Sequence, residues 1–419
     1  MRATDRADTT APLLRDRDFR RYVGARGLSV LGTITTLIAL PVLVYRLTGS
    51  ASTTALVAAL EAAPYLVFGL LAGALGDRWN RRTVMVTADL LAAVVLASVP
   101  VAHWLGVLTV PHLLAVAFLA PALAVFFDGA VFGALPTLVG RRRIGQANSY
   151  VWTVQGAAEV VVPAGVGLVL AVLHPATLLA FDALTYVASA VLIRGIGGPM
   201  QDPDRVPTAF TVRQVGADIG EGLRYLLRHA GIRTMTIVGF TQCVAGGGFV
   251  SLMVVWADRQ LDVGTEGLRF GIVYGAWAVG GILASVALPR LLRGTTPARI
   301  TLGALPVSAV IGVVTPLWQT WWVGALSLLA WSVFYTMVVI NSISYRQQVT
   351  PEPLLGRVNT AGRMLSWGLG WTGGAFLAGV LSGWLGVQAT LFVVTAVSFV
   401  GVAVAWTSPL VGAREPAVE

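Results

Sequence analysis

Val393 to Trp406 reads VVTAVSFVGVAVAW, without a charged side chain. Leu90 to Val101 (LLAAVVLASVPV) and Ile34 to Tyr45 (ITTLIALPVLVY) read the same way, and each extends into flanks that are nearly as apolar. A helix needs roughly 20 such residues to cross a bilayer core of about 30 Å. Of 419 residues, 56% are hydrophobic and only 12% charged, against about 25% charged in a soluble domain. The chain has little with which to face water. Its apolar runs resolve into spans over 23–45, 54–76, 83–104, 111–136, 149–172 and 177–195, then 235–257, 268–289, 300–318, 322–345, 364–384 and 388–408. They specify an all-α polytopic membrane protein of twelve transmembrane helices.

On a soluble chain a formal charge of +9 would suggest nucleic acid. Here its placement excludes that partner. With the N-terminus in the cytoplasm, 25 arginines fall in the tails and the even-numbered loops, while Arg46, Arg259 and Arg269 fall on the other side and Arg26 lies inside span 1. Basic residues mark cytoplasmic loops, so both termini are expected inside a multi-pass cell (inner) membrane protein. There is no Lys, which a high-GC genome explains. Cys243 is the single cysteine, so neither an internal disulfide nor a thiol metal site is expected. The first 21 residues mix acids with Arg and show no small-residue cleavage site, so the first apolar run reads as a retained helix.

The longest connection, Gly195 to Thr234, begins irregularly at Pro199, Pro203 and Pro207. From Thr211 to Arg228, Val212, Val215, Ile219, Leu223, Leu226 and Leu227 recur at helical spacing between charged residues, which predicts an amphipathic interfacial helix. The expected domains are a six-helix bundle over 1–195, a cytoplasmic linker over 196–234 and a second six-helix bundle over 235–419. The halves echo each other. Ile144-Gly-Gln-Ala-Asn-Ser149 recurs as Leu355-Gly-Arg-Val-Asn-Thr360, and Gly69-Leu-Leu-Ala72 as Gly281-Ile-Leu-Ala284. A parallel repeat joined by a basic linker is how many transporters build two bundles around a midplane site.

After span 2 the chain reads Gly69-Leu-Leu-Ala-Gly73-Ala-Leu-Gly76-Asp77-Arg78-Trp79-Asn80-Arg81-Arg82-Thr83. This resembles the loop 2–3 signature of the major facilitator superfamily, G-x-x-x-D-R/K-x-G-R-R/K. Gly73 would let two helices approach closely. The resemblance implies that Asp77 meets the N-terminus of span 11, locking the outward-open state, and that Arg78, Arg81 and Arg82 complete the gating motif at the cytoplasmic face. Asn80 replaces the second glycine, and Asn tolerates the left-handed conformation such a turn uses. Within the superfamily the chain is similar to bacterial macrolide and siderophore efflux proteins in Phe126-Phe-Asp128 to Leu135-Pro136, Phe181-Asp-Ala-Leu-Thr185 and Glu221-Gly-Leu-Arg-Tyr-Leu226. The Gly-Pro pair of the span 5 exporter signature becomes Val162-Pro163-Ala-Gly-Val-Gly167.

Charge at the bilayer centre costs roughly 3 kcal/mol on insertion scales, so each intramembrane charge needs a reason. Glu61 lies about 12 Å into span 2 from its outer end. Glu159 shares a stripe with Trp152, Gln155 and Pro163 in span 5, and Asp128 lies in the cytoplasmic half of span 4. Glu61, Glu159 and Asp128 are the proton-coupling candidates. The competing role is a structural ion pair: Asp128 or Asp89 with Arg81 or Arg82, or Glu159 with Arg26. For Asp89 and Asp182, near the ends of spans 3 and 6, pairing is the expected role. Arg26, Gln155, Trp331, Tyr335 and Trp367 are candidates to line a substrate cavity, because aromatic surface suits amphipathic or cationic molecules.

The resemblance implies a secondary active transporter that exports small amphipathic drug-like or natural-product molecules by proton antiport with alternating access. An importer or uniporter of a small metabolite is the alternative within transport, and a non-transporting sensor or scaffold the alternative outside it. His103, His112, His174 and His229 are scattered at span ends, and no nucleotide-binding or nucleophile–histidine pattern appears, so no enzyme, metal or cofactor is expected. The expected partners are the substrate, protons and the lipid bilayer, and the expected state is a monomer.

Overall fold

The computed structural model describes residues 13–76, 79–140, 143–201, 212–351 and 354–411. Apart from short 3₁₀ turns, the described residues form helices and no strand: α1 (Arg17–Thr48), α2 (Ala51–Gly76), α3 (Arg81–Trp104), α4 (Val110–Val139), α5 (Ile144–Leu170), α6 (Pro175–Arg194), α7 (Val212–Arg228), α8 (Ala230–Ser251), α9 (Met253–Arg259), α10 (Gly267–Leu291), α11 (Pro297–Val314), α12 (Trp321–Val349), α13 (Leu355–Arg363), α14 (Thr372–Leu385) and α15 (Val387–Trp406). A π-helix, Met364–Trp371, joins α13 to α14. Eleven helical segments are long and apolar enough to cross a membrane. The pair α8 and α9, bent by 50°, supplies a broken twelfth. Span 7, expected as one straight helix over 235–257, is thus broken at Leu252.

Local chemistry sets the ends. His174 and Thr296 cap α6 and α11 through their side chains, and each of those helices opens on proline. Asn80 is also an N-cap: its backbone is extended at φ −63° and its side chain accepts the Thr83 N–H at 3.1 Å. The left-handed turn expected there is therefore replaced by a helix start, which any good N-cap residue satisfies. Interior prolines such as Pro41, Pro64 and Pro163 are carried within helices, as membrane helices allow. The two echoing segments open α5 at Ile144 and α13 at Leu355. The amphipathic helix of the central connection is α7. On its apolar side, Leu226 is buried with Ile232, Met235, Val358 and Ala361, while Leu227 is exposed. Arg357 pairs with Glu221 on its polar face.

By contacts among the described residues, the chain divides into two compact units. One holds Met1–Leu40, Val67–Val162 and Leu173–Phe210, and the other holds Pro41–Leu66, Pro163–Val172 and Thr211–Glu419. This grouping of contacts puts parts of α1, α2 and α5 together with the C-terminal helices. In the first unit, large apolar side chains such as Leu91, Val94 and Leu184 point outward, which lipid accepts without cost. A groove between α3 and α6 is lined by Leu90, Val94, Val101, Trp104 and Leu184 and suits acyl chains.

Within the second unit, small residues let backbones meet. Gly167 and Gly271 bring α5 onto α10, where a Cβ on Gly167 would lie 2.8 Å from the Gly271 nitrogen. A Cβ on Gly374 of α14 would overlap the Val244 carbonyl of α8, whereas one on Gly373 would meet nothing within 4 Å. Gly374→Ala is therefore expected to destabilise the detergent-solubilised protein by about 1–3 kcal/mol, read as a lowered Tm, while Gly373→Ala leaves Tm unchanged. Equal effects at the two positions would contradict this helix contact.

Candidate functional site

At the arginine-rich face of the first unit, the start of α1, the start of α3 and the end of α6 are tied together. Asp18 accepts the N–H groups of Gly197 and Gly198 at 3.0 and 2.7 Å, and Arg21 donates to the Gly195 carbonyl. Arg82 donates to the Gly198 carbonyl at 2.7 Å and Arg81 to that of Met200 at 3.3 Å. Two gating-motif arginines thus hold carbonyls beyond the C-terminus of α6. Gly73 lies in α2; Asp77 and Arg78 lie outside the described residues.

Inside the same unit, Arg26 of α1 donates to Asp128 of α4 at 3.1 Å and lies over the Phe127 ring, 5.6 Å from its centroid. The ion pairs weighed against a proton-coupling role were Asp128 with Arg81 or Arg82, and Glu159 with Arg26. The packing of α1 on α4 instead joins Arg26 to Asp128. Glu159 is half-buried and accepts from Gln155 Nε2 at 3.0 Å, one helical turn away on α5. Asp89 of α3 is 0% exposed, with the Ser189 hydroxyl of α6 set against its carboxyl. Asp182 of α6 accepts from Thr36 and Thr185. Neither makes the ion pair expected of it. The signal for Asp182 was present in the sequence as Thr185 three residues on; the contribution of Thr36 from α1 was not.

In the second unit, Glu61 of α2 is buried with Oε1 unpartnered, within electrostatic reach of Tyr274 of α10. Trp331 is 0% exposed and packs edge-on against Phe249 and Trp277, and Tyr335 stacks at a tilt on Trp277. Both aromatics are buried among these rings in this structure. Trp367 differs: it is 46% exposed and stacks on Trp371, centroids 5.5 Å apart and planes at 11°. Both belong to the π-helix, a geometry that concentrates at functional sites. Arg346, expected in a loop, lies inside α12 at 1% exposure, its guanidinium against Gly362.

Sequence reasoning missed a polar clasp at the other end of this unit. Tyr45 of α1 donates to Asp258 at 2.7 Å and accepts from Arg259 Nε at 3.0 Å. Arg259 also donates to the Gly49 carbonyl at 2.7 Å. Arg46 pairs with Glu266 at 2.6 Å and donates to Thr265 at 2.9 Å. The outer-side arginines Arg46 and Arg259, read only as exceptions to the charge count, are the residues that make these ties.

Eleven apolar spans, twelve with the bent α8–α9 pair, have the architecture of a membrane transporter of the major facilitator fold. The chain belongs to the transmembrane secretion effector family, whose model matches residues 7–417. It is 31% identical to the multidrug efflux pump Tap of Mycolicibacterium fortuitum over 85% of this chain and 87% of the relative. It is 24% identical to the enterobactin exporter EntS of Escherichia coli O1:K1 / APEC over 84% and 80%. A bacterial homologue of the iron transporter ferroportin, solved in an inward-facing state, superposes with a TM-score of 0.73 at 16% identity over 94% of this chain and 99% of that one. That likeness shows the fold. The resemblance to efflux members is thereby established, and the family is one of transporters and not of enzymes.

The Arg26–Asp128 contact carries a stability prediction. Breaking a fully buried pair costs about 3–5 kcal/mol, and partial exposure of Asp128 reduces this to roughly 2–3 kcal/mol. Asp128→Asn should lower the Tm and the monodisperse yield of purified protein, and adding Arg26→Gln should restore much of both. Glu159→Gln, whose partner is the neutral Gln155, should change neither.

Proposed function

We propose that the protein exports small amphipathic drug-like or natural-product molecules from the cytoplasm by proton antiport with alternating access, lying in the cell membrane with both termini inside. The observation that carries this reading is the set of acids at membrane depth, Glu61, Asp89, Asp128, Glu159 and Asp182, in a chain whose relatives are efflux proteins. Acids in spans are costly and mark ion pathways by default. The arginine-rich face supports the orientation. The Trp367–Trp371 stack offers a flat apolar surface to ring-bearing molecules, with cation–π attraction for positively charged ones. The Tyr45–Asp258–Arg259 and Arg46–Glu266 ties would have to release as the outer side opens.

Among the described residues no cation pairs with Glu159 or Glu61, which supports that role for them. Asp128 is committed to Arg26. Gating through Asp77 and Arg78 follows from the family motif. A membrane potential of 100 mV is worth about 2.3 kcal/mol per proton, or roughly a fifty-fold substrate gradient at 1.4 kcal/mol per tenfold.

The test uses everted membrane vesicles that acidify their lumen, with ethidium, a macrolide and a catecholate siderophore as probes. At least one probe should accumulate in the lumen and leak out when a protonophore collapses the gradient. Equilibration insensitive to the protonophore would favour a uniporter, and accumulation in the opposite direction an importer.

A further inference from the structure

Helix α6 carries one polar stripe, Asp182, Thr185, Tyr186 and Ser189, at spacings of three, four and seven on a helix that is otherwise apolar around them. Each of the four is buried. Facing the stripe is α1. Thr33 and Tyr186 share a hydrogen bond of 3.2 Å, and Thr36 donates to Asp182 Oδ2. Thr185 donates to Oδ1 at 3.1 Å. Gly32 of α1 forms the seat: any Cβ there would overlap Asp182 Oδ1 and Thr185 Oγ1. The carboxyl thus occupies a place that α1 leaves open for it. Asp182 is 1% exposed.

Toward the arginine-rich face the stripe continues to Ser189, and beside it stands Asp89 of α3. The Ser189 hydroxyl is set against the Asp89 carboxyl, and neither group finds another hydrogen-bond partner among the described residues. Among the described residues neither Asp89 nor Asp182 makes an ion pair. The charged groups facing this chain are Arg26 from α1 and Asp128 from α4, both within electrostatic reach of Asp89, as Asp182 is. Arg26 is already bonded to Asp128. Asp182 lies about 10 Å along α6 from its Pro175 end, and Asp89 about 12 Å along α3 from its Arg81 end. The two carboxyls thus sit in staggered positions beside hydroxyls, and among the described residues neither is bonded to a cation.

We propose that Asp182 and Asp89 form a proton-binding relay within the first unit, Asp182 receiving the proton from the outer side and Asp89 handing it toward the cytoplasmic face. The inference rests on the antiport reading above and places the driving proton on α6 and α3 instead of on Glu61, Asp128 or Glu159. The step is a proton transfer alone: the O–H of the acid at Asp182 breaks, the proton is passed along the hydroxyl stripe that ends at Ser189, each hydroxyl taking one proton as it gives up another, the Asp89 carboxylate takes it, and water at the cytoplasmic face receives it next. Thr36, Thr185 and Ser189 are positioning residues that hold each carboxyl in line.

Two measurements decide it. Dicyclohexylcarbodiimide, which reacts with protonated carboxyls in apolar surroundings, is applied to purified wild-type protein in lipid nanodiscs and the adducts are mapped by mass spectrometry. Asp182 or Asp89 should carry the adduct, with labelling that falls as pH rises. No adduct on either at any pH would overturn the relay, and this readout needs no variant to fold. In everted vesicles with ethidium, Asp182→Asn should lose gradient-driven accumulation yet retain downhill equilibration, and Gly32→Ala should do the same by displacing the carboxyl. If wild type pumps with the proton gradient and Asp182→Asn and Asp89→Asn pump equally well, the relay fails while proton antiport stands. If wild type ignores the proton gradient, or runs on a sodium gradient in its place, antiport by protons fails and the relay with it.

Discussion

The hydrocarbon core offers no water, so every donor, acceptor and charge in the spans must find its partner in the chain. That constraint organises the rest of this structure. Thr35, Thr236, Thr301 and Thr395 turn their hydroxyls back to carbonyls one turn earlier in their own helices. Glycines at Gly167, Gly271 and Gly374 bring backbones close where side chains would hold helices apart. The Arg26–Asp128 pair settles the one arginine inside span 1. The buried oxygen of Glu61 is an exception, with no hydrogen-bond partner among the described residues.

Much of the fold was legible because the bilayer imposes a one-dimensional rule: a span must be apolar for about 20 residues, and that can be counted along the chain. The amphipathic helix of the central connection was readable for the same reason, from Leu223, Leu226 and their neighbours. The echo at Ile144 and Leu355 correctly marked helix starts. What the sequence left ambiguous depends on which helices touch. Arg26 could reach Glu159 or Asp128 by depth alone; the packing of α1 on α4 decides for Asp128. Trp331 and Trp367 look alike in the sequence, yet one lies among Phe249 and Trp277 in the core and the other stands on a π-helix. Arg346 was placed in a loop because an arginine ends an apolar run; α12 carries it inward instead. Asn80 was assigned a turn and proved to be a cap.

The division of contacts adds something that span counting cannot show. The boundary between units falls at Pro41 in α1, at Pro163 in α5 and just past Pro64 in α2. A proline removes one backbone hydrogen bond and loosens the helix at that point. Three helices thus change packing partners where their own backbones are weakest. The π-helix of Met364–Trp371 is a fourth irregular segment, and it holds the stacked pair of Trp367 and Trp371.

The central claim is that substrate and proton compete for one protein. The most direct test is the pH of a weakly buffered detergent solution of the purified protein as ethidium is added. Antiport predicts that substrate binding releases protons, and that the release disappears in Asp182→Asn. Binding of ethidium with no change in pH at any starting pH would contradict the account.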